Sequence, residues 1–163
     1  MPESPNYPMD PVRGAIIMCD HLDQMQNGKW LIVGTHQRWY VRGDILDLPK
    51  GINLYLRFQR EMSGPFQGAL KLVARDLSSL LPPLIEISFE GVVNDPNLPV
   101  EVGFSTPAVS FARPNDENKS HDPLVLTYTW WLKVDGHDVA SAPLIIQYSA
   151  KDPSHAHNDP RQP

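Results

Sequence analysis

The stretch that decides the fold reads LVLTYTWWLKVDGHDVASAPLIIQY, over residues 124–148. Every second residue of its first half is apolar and the residues between are mostly polar, and the second half alternates in the same way. This period of two is typical of strands with one buried face. The pair Asp135-Gly136 between the halves is a turn signal, so the sequence predicts a β-hairpin.

The alternation also predicts the register of this hairpin. The apolar positions are even-numbered on both strands, so they share one face only if even positions pair with even positions. A two-residue loop would turn the second apolar set outward. We therefore predict a three-residue loop over 134–136, with Gly136 in the left-handed conformation. In that register Trp130 lies opposite Ala140.

Length and composition favour one globular all-β domain. The chain has 163 residues, of which 41% are hydrophobic and 20% are charged, which is enough to bury a core without metals or disulfides. The 17 prolines favour short strands joined by turns over long helices. We predict a two-sheet antiparallel β-sandwich of about eight strands over residues 12–148, with a flexible arm at 1–11 and a disordered tail at 149–163.

Periodicity and turn signals place the individual strands. Those before the hairpin are predicted at residues 12–20, 29–35, 52–59, 66–75, 84–89, 100–104 and 109–113. Residues 39–41 are predicted to extend the second strand past a bulge, and 44–51 to form a connection. A helix ended by Pro82 is the alternative for 66–80. Pro107 indicates an edge strand, a bulge or a crossing between sheets.

Charge and cysteine content bear on partners and location. A net charge of -5 and a pI near 5.6 make nucleic acid an unfavoured partner. The single cysteine, Cys19, forms no internal disulfide, which fits a reducing compartment. Because Cys19 ends an apolar run, we expect a buried thiol rather than a nucleophile. No signal peptide and no membrane-spanning run is visible, so we predict a cytoplasmic protein without membrane contact.

Three short segments resemble a known family. They are Ile16-Ile17-Met18-Cys19-Asp20, the Asn27-Gly28-Lys29 turn with Leu31-Ile32-Val33-Gly34, and Val134-Asp135-Gly136. They are similar to segments of short uncharacterised bacterial proteins that are grouped as a domain of unknown function. The resemblance covers roughly residues 12–148. It implies a β-sandwich in the bacterial cytoplasm, and it brings no activity, cofactor or catalytic residue.

Four polar residues form the most suggestive chemical cluster: Asp20, His21, Asp23 and His36. Carboxylate and imidazole groups suit a transition metal or a general base. Their spacing matches no established metal motif, and solvated turn residues are the favoured interpretation. No nucleophile or phosphate-binding motif occurs, so catalysis has no positive support and no cofactor is predicted. A small-molecule-binding, carbohydrate-binding or metal-dependent hydrolytic domain built on these four residues is the alternative function.

Two further polar sets have ordinary explanations. Arginines and aromatic residues interleave at Arg38, Trp39, Tyr40, Arg42, Tyr55, Arg57 and Arg60. Such a pattern can bind single-stranded nucleic acid, but the acidic total charge favours a solvated sheet face. In the tail, His155 and His157 could bind metal weakly, although a solvated tail is the favoured interpretation.

The outward side of the hairpin supplies the leading functional hypothesis. Trp131, Val139 and Ile145 have outward parity, and in the predicted register Trp131 faces Val139. An apolar patch on an outer sheet face is covered either by the chain's own arms or by another subunit. We therefore favour a non-enzymatic protein-interaction or assembly module, including a homo-oligomer, with this patch or the strand edges as its contact surface.

Overall fold

A computed structural model describes residues 14–75, 82–114 and 123–150 of the chain. The described residues form strands and no helix, which confirms the all-β prediction. The strands are β1 Gly14–Gln24, β2 Trp30–Thr35, β3 Arg38–Val41, β4 Ile45–Leu48, β5 Asn53–Phe58, β6 Gly64–Ala74, β7 Ile85–Val93, β8 Val100–Ser105, β9 Val109–Ala112, β10 Leu124–Val134 and β11 His137–Tyr148. Within these ranges there are 11 strands in three sheets, whereas the sequence predicts about eight strands in two sheets.

The sheets contain four, five and two strands. Their strand orders are β2-β1-β5-β8, β3-β11-β10-β6-β7 and β4-β9. All neighbouring strands are antiparallel except β3, which pairs in parallel with β11. The predicted hairpin is β10–β11, and it lies inside the five-stranded sheet, between β3 and β6.

One hydrophobic cluster unites the two larger sheets. From the four-stranded sheet, Leu54 and Leu56 of β5 are fully buried, and from the five-stranded sheet Trp130 and Leu144 are fully buried. These residues occupy alternate positions of their strands, so each strand turns one face inward. We call the opposite side of each sheet its outer face.

The hairpin confirms the predicted parity but not the predicted turn. Even positions of β10 do pair with even positions of β11 over most of its length. The predicted left-handed conformation of Gly136 is confirmed, with φ of 83°. The loop, however, has two residues, because Asp135 is also left-handed, with φ of 50°. Two left-handed residues match the type I′ turn that Asp-Gly sequences favour in hairpins. Trp130 lies opposite Ala142, not Ala140.

A β-bulge reconciles the two-residue loop with the even pairing. The register shifts between Leu132, which faces Ala140, and Lys133, which faces Asp138. Val139 is therefore the extra residue on β11, and it restores the parity that the short loop would have reversed. The prediction that Val139 lies outward, opposite Trp131, is wrong because the bulge turns its side chain into the core.

The space for Val139 comes from a glycine on the facing sheet. A Cβ atom at Gly14 would lie 2.6 Å from Cγ1 of Val139. The absence of a side chain at Gly14 therefore lets β1 and β11 approach each other where the bulge enters the core.

Four other predictions are settled by the sheet topology. Residues 64–74 form strand β6, so the helix alternative is wrong over this range. The chain crosses at Pro107 from the four-stranded to the two-stranded sheet, which confirms one of the predicted roles of this proline. Strand β3 belongs to the five-stranded sheet and does not extend β2, and the predicted connection at 44–51 contains strand β4. The predicted arm at 1–11 and most of the predicted tail lie outside the described residues.

Candidate functional site

The first candidate site lies at Asp20 of β1 and at Gly34 and His36, near the end of β2. Gly34 has φ of 68°, and the carboxylate of Asp20 occupies the space that a side chain at Gly34 would need. Only a glycine combines this left-handed backbone with so close a neighbour. At this site, Nδ1 of His36 lies 3.3 Å from Oδ1 of Asp20 and 3.0 Å from the carbonyl oxygen of Gly34.

His36 is held in place by packing as well as by polar contacts. Its ring meets Trp39 edge to face, with 4.3 Å between the ring centroids. The backbone N–H of His36 donates to the carbonyl of Met18 at 3.1 Å. Its Nε2 atom is buried and has no hydrogen-bond partner among the described residues. His36 thus attaches the segment between β2 and β3 to Met18 and Trp39, two residues of the hydrophobic core and its edge.

The other two members of the predicted polar cluster do not join this pair in a metal site. His21 and Asp23 lie farther along β1 with exposed side chains, opposite Val33 and Leu31. In the described part of the chain no group of three or more histidine, cysteine or acidic residues is placed to hold a metal ion. The structure thus brings Asp20 and His36 together, while the alternative function built on all four residues stays a prediction.

Cys19 is placed as its sequence context predicted. The side chain is buried, and Sγ lies 3.9 Å from the carbonyl oxygen of Asn53. Burial, and then the neighbouring Asp20 carboxylate, raise the pKa of the Cys19 thiol above its ordinary value. Because a nucleophilic cysteine needs a lowered pKa, this environment favours an unreactive, protonated thiol.

The arginines and aromatic residues predicted as a possible nucleic-acid surface are divided between two sheets. Arg38 lies 6.0 Å from the centre of the Tyr40 ring on the five-stranded sheet. Arg57 lies 3.9 Å from Glu101 on the four-stranded sheet. Arg60 is engaged by Asp135 at 2.9 Å. The described residues therefore do not combine these side chains into one basic surface.

The second candidate site is the outer face of the five-stranded sheet. Trp131 and Val125 have the same parity on β10, and their side chains are 40% and 51% exposed. Between them on β10, Thr127 lies opposite Ile145. Thr129 lies opposite Pro143 on one side and Val73 on the other, so three more apolar side chains share this face. We call this surface the Trp131 face, and it comprises Tyr40, Val73, Val125, Trp131, Pro143 and Ile145.

Charged side chains border the Trp131 face. Lys71 lies opposite Trp131 on β6 and forms a 2.8 Å ion pair with Glu86. Near the hairpin turn, Lys133 pairs with Asp138 at 3.3 Å. An apolar centre within a polar border is the usual anatomy of a protein–protein contact surface.

Sequence reasoning found only part of this surface. It identified Trp131 and Ile145, and the alternation along β10 also contained the signal for Val125. It missed Tyr40, because residues 39–41 were assigned as an extension of β2. Only the parallel pairing of β3 with β11 places Tyr40 beside Gln147 on this face.

Comparison with known proteins does not assign a family. No protein-family model matches the chain, and no curated protein matches it. Membership of the bacterial family that it resembles therefore stays a prediction, as does the cytoplasmic location. Within the described ranges, no helix is long and apolar enough to cross a membrane.

Proposed function

We propose that this chain is a non-enzymatic protein-interaction module whose two larger sheets form a sandwich and whose contact surface is the Trp131 face. The observation that carries the proposal is Trp131, a tryptophan 40% exposed on an inner strand of a sheet, with the apolar Val73 and Pro143 diagonal to it on the two neighbouring strands. Together with the other apolar side chains of the Trp131 face it forms a contiguous patch, and exposed patches of this kind mark interaction surfaces.

The composition of the Trp131 face supports a protein as the partner. Tryptophan, tyrosine and arginine are enriched among the residues that contribute most to protein binding. Trp131 and Tyr40 belong to this face, and Arg38 lies next to it, opposite Ile145. Lys71 and Lys133 are paired with Glu86 and Asp138, and the Arg38 guanidinium lies 6.0 Å from the centre of the Tyr40 ring, so most of the charge near this face is already engaged. We therefore propose a partner with an apolar patch of its own rather than a strongly charged polymer.

Replacing Trp131 with aspartate tests the proposal. Trp131→Asp replaces the largest apolar side chain of the contact with a carboxylate, so partner affinity should fall by about thirtyfold or more. The measurement is comparative affinity capture with quantitative mass spectrometry, followed by titration of each captured protein against purified wild type and variant. Circular dichroism checks that the variant keeps the wild-type fold.

A matched change elsewhere serves as the control. Leu98 is also exposed but lies in the loop before β8, away from the Trp131 face, so Leu98→Asp should keep the wild-type partners. A folded Trp131→Asp variant that retains every partner at wild-type affinity would contradict the proposal.

A further inference from the structure

Strand β2 differs from the other outer strands of the two larger sheets. Natural sheets protect their edges with charged residues or prolines, which discourage pairing with another chain. In the described chain, the other outer strands each contain a charge: Arg38 in β3, Glu86 and Glu90 in β7, and Glu101 in β8. Strand β2 reads Trp-Leu-Ile-Val-Gly-Thr and has neither a charge nor a proline.

The side chains of β2 are exposed as well as apolar. Leu31 is 44% exposed and Val33 is 48% exposed, and both lie on the same face of the strand. Within the sheet, Leu31 lies opposite Asp23 of β1 and Val33 lies opposite His21, and both β1 side chains are also exposed. An uncharged edge strand with two exposed aliphatic side chains is suited to adding another strand.

The hydrogen bonds of the β1–β2 turn show which backbone groups face the open edge. The N–H of Met25 donates to the carbonyl of Lys29 at 2.8 Å. Backbone groups alternate in direction along an antiparallel strand, so Leu31 and Val33 turn theirs toward β1. Trp30 and Ile32 therefore direct their N–H and C=O groups away from β1, toward an edge that no described strand occupies.

We infer that a second copy of this chain pairs with β2 in antiparallel register, centred on Ile32, to form a twofold-symmetric dimer. The two Ile32 residues then exchange backbone hydrogen bonds, and Leu31 of each copy packs on Val33 of the other. Trp30 lies opposite Gly34 of the second copy, and its indole stays packed over Gly103 of its own sheet. The strand is thus complementary to itself, as a twofold interface requires.

Sedimentation equilibrium of the full chain tests this dimer. The wild type should dimerise, and Val33→Lys should raise the dimer dissociation constant about a hundredfold, because each dimer buries two unpaired charges. The matched control is Val92→Lys, which makes the same change at an exposed position of β7, and it should leave the constant within about threefold of wild type. A wild type that remains monomeric up to about 1 mM overturns the inference.

The register has its own test. Directly opposed residues whose backbone groups turn away from each other lie about 4.5 Å apart between Cα atoms, within the range that a disulfide spans. The double variant Leu31→Cys, Val33→Cys should therefore form a covalent dimer under mild oxidation, whereas Leu31→Cys alone should not. Equal cross-linking by the single variant would overturn the register.

This inference is independent of the proposed function, because β2 lies in the four-stranded sheet and the Trp131 face lies on the five-stranded sheet. The two are separated by comparing variants. Loss of the dimer in Val33→Lys and not in Trp131→Asp supports pairing through β2. Loss in Trp131→Asp and not in Val33→Lys overturns it and assigns self-association to the Trp131 face.

Discussion

Among single residues, Gly103 is notable for the side chain that it lacks. Gly103 lies on the outer face of β8, opposite Tyr55. The indole of Trp30 fills the space where its Cβ would be, and Cδ2 of Leu22 lies 2.8 Å from that position. Trp30 also meets Tyr55 edge to face, with 6.1 Å between the ring centroids. The turn end of the β1–β2 hairpin thus covers part of the outer face of its own sheet.

Substituting alanine for Gly103 should destabilise the fold. The added methyl group must displace the large Trp30 ring, and overpacking of this kind costs about 1–3 kcal/mol. Urea unfolding monitored by tryptophan fluorescence measures the loss. Gly43→Ala is the control, because a Cβ at Gly43 meets nothing within 4 Å, and this variant should unfold at the wild-type urea concentration. Equal stability of the two variants would contradict this account of Gly103.

The placement of individual residues was partly predictable from the sequence. The buried state of Cys19 followed from its place at the end of an apolar run. The contact between Asp20 and His36 agrees with a hairpin that returns at Asn27-Gly28. The position of Val139 was not predictable from alternation, because a bulge changes parity without changing the sequence pattern around it.

At the scale of elements, one arginine joins the hairpin turn to the connection between β5 and β6. Arg60 donates from Nε to Asp135 at 2.9 Å, and also to the carbonyl oxygens of Met62 and Gly64. The second carboxylate oxygen of Asp135 accepts from the N–H of Gln67 at 3.0 Å. The Asp135 side chain therefore fixes the turn to the place where the chain passes between the two larger sheets.

Removing the charge of Asp135 should cost stability. Asn tolerates the left-handed backbone at this position, so Asp135→Asn isolates the loss of the charged hydrogen bond to the largely buried Arg60, about 1–3 kcal/mol. Asp138→Asn is the matched control, because its ion pair with Lys133 is solvent-exposed and should contribute less than about 1 kcal/mol. Denaturant unfolding measures both, and a smaller loss for Asp135→Asn than for the control would contradict the anchoring role.

Strand prediction succeeded where the alternation continues over six residues or more, and it failed at β3 and β4, which have four residues each. Strands β5 and β6 have clean alternation, and both were predicted. Strand β3 has four residues and follows β2 after a short polar gap, so local pattern alone could not separate the two strands. Strand β4 lies in the polar, proline-containing segment at 44–51 and is exposed or half-buried throughout. Its partner β9 is distant in sequence, so its pairing depends on tertiary structure.

At the scale of the whole molecule, two buried tyrosines make the fold sensitive to alkaline pH. Burial raises the pKa of Tyr55 to about 12, and the hydrogen bond that it donates to Glu101 at 2.6 Å adds to the effect. Burial likewise raises the pKa of Tyr148 to about 12, with Tyr128 nearby. The hydroxyl of Tyr148 donates to the carbonyl of Phe111 at 2.7 Å and so joins the five-stranded sheet to β9.

The free energy of unfolding should fall as the pH rises above 10. In the unfolded chain tyrosine ionises near pH 10, whereas these two stay protonated in the fold until about pH 12. Their contribution is therefore complete below pH 10 and is lost between pH 10 and 12. Urea unfolding at intervals across this range measures the decline, and the double variant Tyr55→Phe, Tyr148→Phe should show a shallower one. An equal slope in both proteins would contradict the assignment to these tyrosines.

The parallel pairing of β3 with β11 also has a consequence for the order of folding. The hydroxyl of Ser149 donates to the carbonyl of Val41, which is 108 positions earlier in the chain. Among the described strands β11 is the one sheet neighbour of β3, so β3 gains that pairing only when β11 is present. Contacts between such distant segments slow folding, because the chain loses loop entropy before the contacts form. Until β11 docks, the growing five-stranded sheet has an unpaired strand edge, and we expect newly made chains to be most prone to aggregation during that interval.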